Sequence, residues 1–92
     1  MNTDKSIELH IPSVMGFEKV AMECAASIAQ KMGFTEDRIE DLKTAVGEAC
    51  LNAIEHGNKM DTSTKVGITL TIEESKLQVS VKDQGKGINL LR

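Results

Sequence analysis

The stretch Glu48-Ala-Cys-Leu-Asn52-Ala-Ile-Glu-His56-Gly57-Asn58 decides the fold. It is the C-terminal part of an amphipathic helix with an apolar side to bury and a polar side to offer. Extended backwards, the apolar side runs through Ile39, Leu42, Val46, Ala49, Cys50 and Ala53, at spacings of three, four and one. A helix turns about 100° per residue, so Glu48, Asn52, Glu55 and His56 gather away from that stripe. Thr35 is placed to cap the helix N-terminus. Glu36 and Asp37 follow in the first turn, where the helix dipole favours negative charge. Gly57 ends the helix, and residues 58–64 read as a polar loop.

Upstream, Phe17, Val20, Ala21, Cys24, Ala25, Ile28, Ala29 and Met32 form a second helical stripe, with Gly33 placed as its C′ residue. Before it, Ile7, Leu9 and Ile11 alternate with Glu8 and His10, a half-buried strand stopped at Pro12-Ser13. Downstream, Val66, Ile68, Leu70 and Ile72 alternate with small or polar residues, and Leu77, Val79 and Val81 do the same. The polar residues 73–76 between them make the pair a β-hairpin. The order β-α-α-β-β predicts an α+β two-layer sandwich, with two helices on one face of a mixed or antiparallel sheet. Asn89-Leu-Leu-Arg92 is too short for a further element. The strand at 77–81 is therefore expected to lack a partner on its far side, and the domain to be incomplete.

Ninety-two residues give one small domain, and no apolar run is long enough to span a bilayer. The opening Met-Asn-Thr-Asp-Lys-Ser lacks the apolar core of a signal peptide, so a cytoplasmic protein with no membrane partner is expected. A net charge of −3, scattered lysines, and Phe17 and Phe34 as the sole aromatics argue against direct nucleic-acid binding. Cys24 and Cys50 stand far apart among apolar helical residues and read as small reduced hydrophobes.

The polar side of the second helix admits two readings. Asn is a weak helix former, and Glu48 with Asn52 can simply be a solvated face. The pair also sits one turn apart, within reach of one ligand. An Asn amide oxygen suits Mg²⁺, which nucleotide sites hold with one or two protein groups beside phosphates and water. Glu48 is then placed to accept a proton from an attacking hydroxyl. His56 can cap the last carbonyls. With His10 and two cysteines it does not assemble a zinc set. Asp83-Gln-Gly85-Lys-Gly87 follows the last strand. It is an ordinary turn composition, or else an acceptor for a base amino group with glycines that permit close approach.

Together, Glu48-Ala-x-x-Asn52-Ala-x-x-His56-Gly57 and Asp83-x-Gly85-x-Gly87 resemble the N box and G1 box of the Bergerat-fold, histidine-kinase-like (GHKL) ATPases. Within that superfamily the chain is most similar to the anti-sigma-factor serine protein kinases of bacteria. The Ile7-Glu-Leu-His-Ile-Pro opening and the β-α-α order match as well. The resemblance implies ATP and Mg²⁺ as cofactors, with Asn52 as the Mg²⁺ ligand. Glu48 becomes the general base toward a serine hydroxyl, and Asp83 the reader of the adenine amino group. His56, Gly85 and Gly87 join the nucleotide-binding set, and Lys19 on the first helix becomes a partner contact. The implied partners are a sigma factor and an anti-sigma antagonist phosphorylated on serine, with a homodimer as the assembly. The family continues past its G1 box into an ATP lid and closing strands, which residues 1–92 do not contain. That leaves a non-catalytic nucleotide- or protein-binding module, or the ATPase part of a sensor histidine kinase, as alternatives.

Overall fold

A computed structural model describes residues 5–83 and 87–91, the latter for their backbone. The first strand, β1 (Lys5–Pro12), leads into helices α1 (Glu18–Lys31) and α2 (Glu36–Asn52). A π-helical turn, Ala53–Gly57, prolongs α2. Strands β2 (Lys65–Ile72), β3 (Leu77–Lys82) and β4 (Gly87–Leu91) complete the chain. The strands form one sheet in the order β1-β2-β3-β4, antiparallel throughout. The α+β two-layer architecture expected from the sequence is the architecture found.

The register explains the layering. Ile11 stands opposite Val66, Leu9 opposite Ile68, and Ile68 opposite Val81. Leu70 stands opposite Val79, and Ile72 opposite Leu77. Strand side chains alternate between faces, so these residues share one face. Ile11, Val66, Ile68, Leu70, Leu77, Val79 and Val81 are buried there with Ala21, Ala25, Ile28 and Ala29 of α1. Leu42, Val46, Ala49 and Cys50 of α2 complete the same core.

The helix punctuation follows its chemistry. Gly33 has φ +87°, donates its N–H to Gln30, and lets Phe34 donate to Ala29 at 3.0 Å. These two bonds are the Schellman closure of a helix, which requires the left-handed conformation that glycine adopts without a Cβ clash. Thr35 caps α2 as expected, its Oγ1 accepting from the Arg38 N–H at 3.3 Å. The residue-73–76 turn is closed by Glu73 N–H to the Lys76 carbonyl at 3.0 Å.

Two expectations need correction. From the sequence, Asn89-Leu-Leu-Arg92 is too short for an element and the strand at 77–81 lacks a partner on its far side. Instead β4 pairs antiparallel with β3, Leu90 opposite Val79 and Ile88 opposite Val81. The alternation Ile88-Asn89-Leu90 was the signal, and five residues suffice for a strand that joins an existing sheet. The α1 stripe is also narrower than its periodicity suggested. Phe17 and Val20 are exposed, while Glu18 is buried, its carboxylate accepting from the Gly16 N–H at 2.6 Å. A backbone donor at the helix entrance turns Glu18 inward and rotates Val20 outward.

Candidate functional site

The polar side of α2 faces outward as expected. Glu48 lies on its exposed surface, Asn52 is its last residue and is exposed, and Glu55 and His56 follow on the π-helical turn. The His56 imidazole is 77% exposed, with its Nε2 3.7 Å from the Glu55 carboxylate, an ion pair when His56 is protonated. π-Turns widen a helix and re-aim its side chains, and they are frequent at functional sites. Here the turn occupies the stretch between Asn52 and Asn58. Its closing bond runs from the Asn58 N–H to the Ala53 carbonyl at 2.8 Å.

Asp83 directly follows β3 and is half-buried. Its carboxylate lies against Gly57, so that a Cβ at Gly57 would fall on Asp83 Oδ2. The end of the helix bearing Glu48 and Asn52 therefore meets the end of β3, although 57 and 83 are remote in sequence. Glycine at 57 is a requirement of close approach, not of backbone conformation. Gly87 is the first residue of β4, opposite Lys82. Gly85 lies outside the described residues. Lys19 is exposed on the first turn of α1, where Met15, Phe17 and Val20 are exposed too. The structure thus brings Asp83 to the helix end, while Lys19 lies exposed at the start of α1.

Two residues that hold the site in place escaped the sequence reading. Asn58 is buried at 5% exposure. Its Nδ2 donates to Ser13 Oγ at 3.0 Å and to the Lys65 carbonyl at 3.2 Å. Ser13 is buried and shares a 2.9 Å hydrogen bond with Thr64 Oγ1. The end of β1, the end of α2 and the start of β2 are tied at this point. The signal available was an Asn directly after the helix-ending Gly57, a residue type that bonds backbone groups at element ends. The same loop orders Asp61, whose carboxylate accepts from the Ser63 hydroxyl at 2.7 Å and its N–H at 3.0 Å. Those bonds hold the carboxyl below its usual range.

Cys24 and Cys50 are free thiols, Cys50 fully buried. Burial, with the Glu18 carboxylate nearby, pushes the Cys50 thiol up to about 12, and burial raises Cys24 as well. Neither is an activated nucleophile. Among the described residues no three His, Cys, Asp or Glu side chains converge on a metal position. No helix among them is long and apolar enough to cross a membrane.

The sequence profile of the histidine kinase-like ATPase domain matches residues 17–92. Among curated proteins the chain is 38% identical over 84 residues to the serine-protein kinase RsbW of Bacillus subtilis (strain 168). That match covers 91% of the chain and 52% of the relative. It is 37% identical over 84 residues to the RsbW of Bacillus licheniformis, covering 91% and 52%. To the RsbW of Halalkalibacterium halodurans it is 33% identical over 86 residues, covering 94% and 52%. The chain thus spans about half the length of the curated relatives it matches.

Proposed function

Since the chain belongs to the histidine kinase-like ATPase domain family, we propose that it forms the adenine-nucleotide-binding part of a protein serine kinase that acts as an anti-sigma factor. The carrying observation is the seat of the Asp83 carboxylate against Gly57, which joins the strand-end acceptor to the helix end that presents Asn52 and Glu48. These residues fit an ATP·Mg²⁺ site: a carboxylate held in place by a glycine that leaves room for it, with exposed oxygen donors one helical turn apart. Bound ATP with Mg²⁺ supplies the phosphoryl group.

The chain's own residues do the rest. Asp83 accepts a hydrogen bond from the adenine amino group. The Asn52 amide oxygen would hold the metal, a ligand type that Mg²⁺ accepts. Glu48, one turn before Asn52 and open to solvent, takes the proton of the serine hydroxyl of an anti-sigma antagonist. His56 and Gly87 border the nucleotide. Lys19, with exposed Met15, Phe17 and Val20 around it, supplies a contact for the sigma factor or the antagonist. The apolar residues add area and the ammonium adds steering. The protein works in the cytoplasm as a homodimer.

Calorimetry of this chain with ADP and Mg²⁺ tests the reading. Binding that depends on magnesium, discriminates against GDP and falls by roughly tenfold in Asp83→Asn is expected, because the acceptor loses its charge and the hydrogen bond to it weakens. Equal binding of GDP, or an Asp83→Asn variant as tight as the parent, overturns it. In the full-length kinase, Glu48→Gln should keep nucleotide affinity and lose most phosphoryl transfer, since an amide cannot take the proton.

A further inference from the structure

The alternation that sends Ile11, Ile68 and Val81 toward the helices sends His10, Gly67 and Lys82 to the opposite face of the sheet. The register sets His10 opposite Gly67, Gly67 opposite Lys82, and Lys82 opposite Gly87, one row across all four strands. Lys65, two residues before Gly67 on β2, projects from the same side. A recess of about 210 Å³ opens there, lined by His10, Lys65, Gly67, Lys82 and Asp83.

Gly67 makes the recess. A Cβ at this position would lie 3.3 Å from both Cε1 and Nδ1 of His10, closer than ordinary contact. Its absence lets the imidazole ring lean over the strand. Glycine weakens a strand interior, and where it occurs it marks the close approach of another group. Gly87, at the end of the same row, adds no side chain.

The lining sets two lysines, Lys65 and Lys82, against one carboxylate, Asp83. Lys65 and Lys82 bring two ammonium groups, and among the described residues neither is in an ion pair. The Asp83 carboxylate, at the border of the recess, also lies against Gly57. Glu8, the next outward residue on β1, stands opposite Thr69 and does not line the recess. The charged groups around His10 are therefore Glu8 along its own strand, Lys65 on β2, Lys82 on β3 and Asp83 directly after it.

We propose that this recess binds a phosphate-type dianion, either inorganic phosphate or a phosphoryl group on a partner's side chain. Two ammonium groups and the His10 imidazole, with the Asp83 carboxylate at the border, surround a space large enough for a tetrahedral oxyanion and a few waters of roughly 30 Å³ each. Three acceptor oxygens and nearly two negative charges match that donor set, and a carboxylate offers only two oxygens and one charge. The recess shares Asp83 with the nucleotide reading, but His10, Lys65 and Lys82 belong to the recess alone and give it a separate readout.

The chain contains two histidines, which supplies an internal control. Two-bond ¹H–¹⁵N correlation spectra of the labelled chain resolve the imidazoles of His10 and His56 during titration with sodium phosphate at fixed ionic strength. Saturable shifts of His10 and a stationary His56 are expected. Sodium acetate should leave both unmoved. Lys65→Gln and Lys82→Gln should each weaken phosphate binding by roughly fivefold, the loss of one charge-assisted contact, with unchanged backbone spectra. A stationary His10, equal shifts of both histidines, or undiminished binding by both variants overturns the proposal. A phosphoserine peptide added in a parallel arm distinguishes the sources. Tighter binding than inorganic phosphate assigns the recess to a phosphorylated partner, and equal or weaker binding assigns it to the free ion. Nucleotide binding that fails while His10 responds leaves this site standing.

Discussion

Gly57 and Cys50 each make a statement that one substitution can test. At Gly57 the backbone φ is ordinary, so alanine meets no conformational strain and its effect isolates the clash with Asp83. Gly57→Ala should cost about 1–3 kcal/mol in urea unfolding, the range for forcing an added group into a filled site, and should weaken ADP binding through the displaced carboxylate. Unchanged stability would mean that Asp83 moves aside freely. Cys50 makes a pH statement. Its folded thiol is raised from 9.0 to about 12, so above pH 9 the unfolded chain holds fewer protons than the folded one. Stability from this group is full below pH 9 and is lost as pH rises toward 12, with a limiting slope of about 1.4 kcal/mol per unit. Unfolding free energies from pH 8 to 10.5 should fall in the parent and fall less steeply in Cys50→Ala. The sequence made Cys50 legible as a buried hydrophobe by its place in the α2 stripe. Glu18, which adds to its shift, was hidden because only the Gly16 backbone donor explains a buried carboxylate there.

Helix α2 joins the core to the site, and its interior glycine tests how tightly it is held. Gly47 is buried against Met22, whose Sδ would stand 2.7 Å from a Cβ at that position. A methionine thioether is the flexible end of its side chain and Met22 is only half-buried, so it can rotate away at a cost of roughly 0.5 kcal/mol. Replacing a mid-helix glycine by alanine gains about 1 kcal/mol. Gly47→Ala should therefore stabilise the chain by about 0.5 kcal/mol in thermal or urea unfolding, and a loss of 1 kcal/mol or more would mean that Met22 is locked. At this scale the sequence was informative where a residue type has one local role: Gly33 as the left-handed closure, Thr35 as the cap, the polar hairpin turn. It was less informative where a long-range partner decides. Asn58 reads as loop until Ser13 and the Lys65 carbonyl are brought to it, and residues 87–91 read as a tail until β3 offers its edge. The candidate site divides the same way. Glu48 and Asn52 share a helix face that periodicity reveals, whereas the meeting of Asp83 with Gly57 depends on how α2 lies across the sheet.

Among the described residues the sheet has β1 and β4 at its edges, so the edge expected at β3 lies elsewhere. At β1 burial rises along the strand, from exposed Lys5 and Ile7 through half-buried Leu9 to buried Ile11. Ile7 is 40% exposed although it faces the helix layer. Beneath it a cavity of about 450 Å³ opens between β1 and α1, bordered by Ile7, Cys24, Ile28, Met32 and Ile72, with Lys5 and Lys31 at its margins. An edge strand with an apolar residue over an open apolar cavity favours pairing with another chain, and charged flanks such as Lys5 limit how far that pairing extends. A closed dimer is the expected outcome, with β1 of one copy beside β1 of another and Ile7 filling part of the cavity. Multi-angle light scattering over a concentration series should show a monomer–dimer equilibrium. Ile7→Lys should shift it to monomer by placing an ammonium in the apolar contact, while a polar replacement on the other face, Thr69→Lys, should leave it in place. A parent that stays monomeric at the highest concentration, or an Ile7→Lys variant that still dimerises, would remove β1 as the dimer edge.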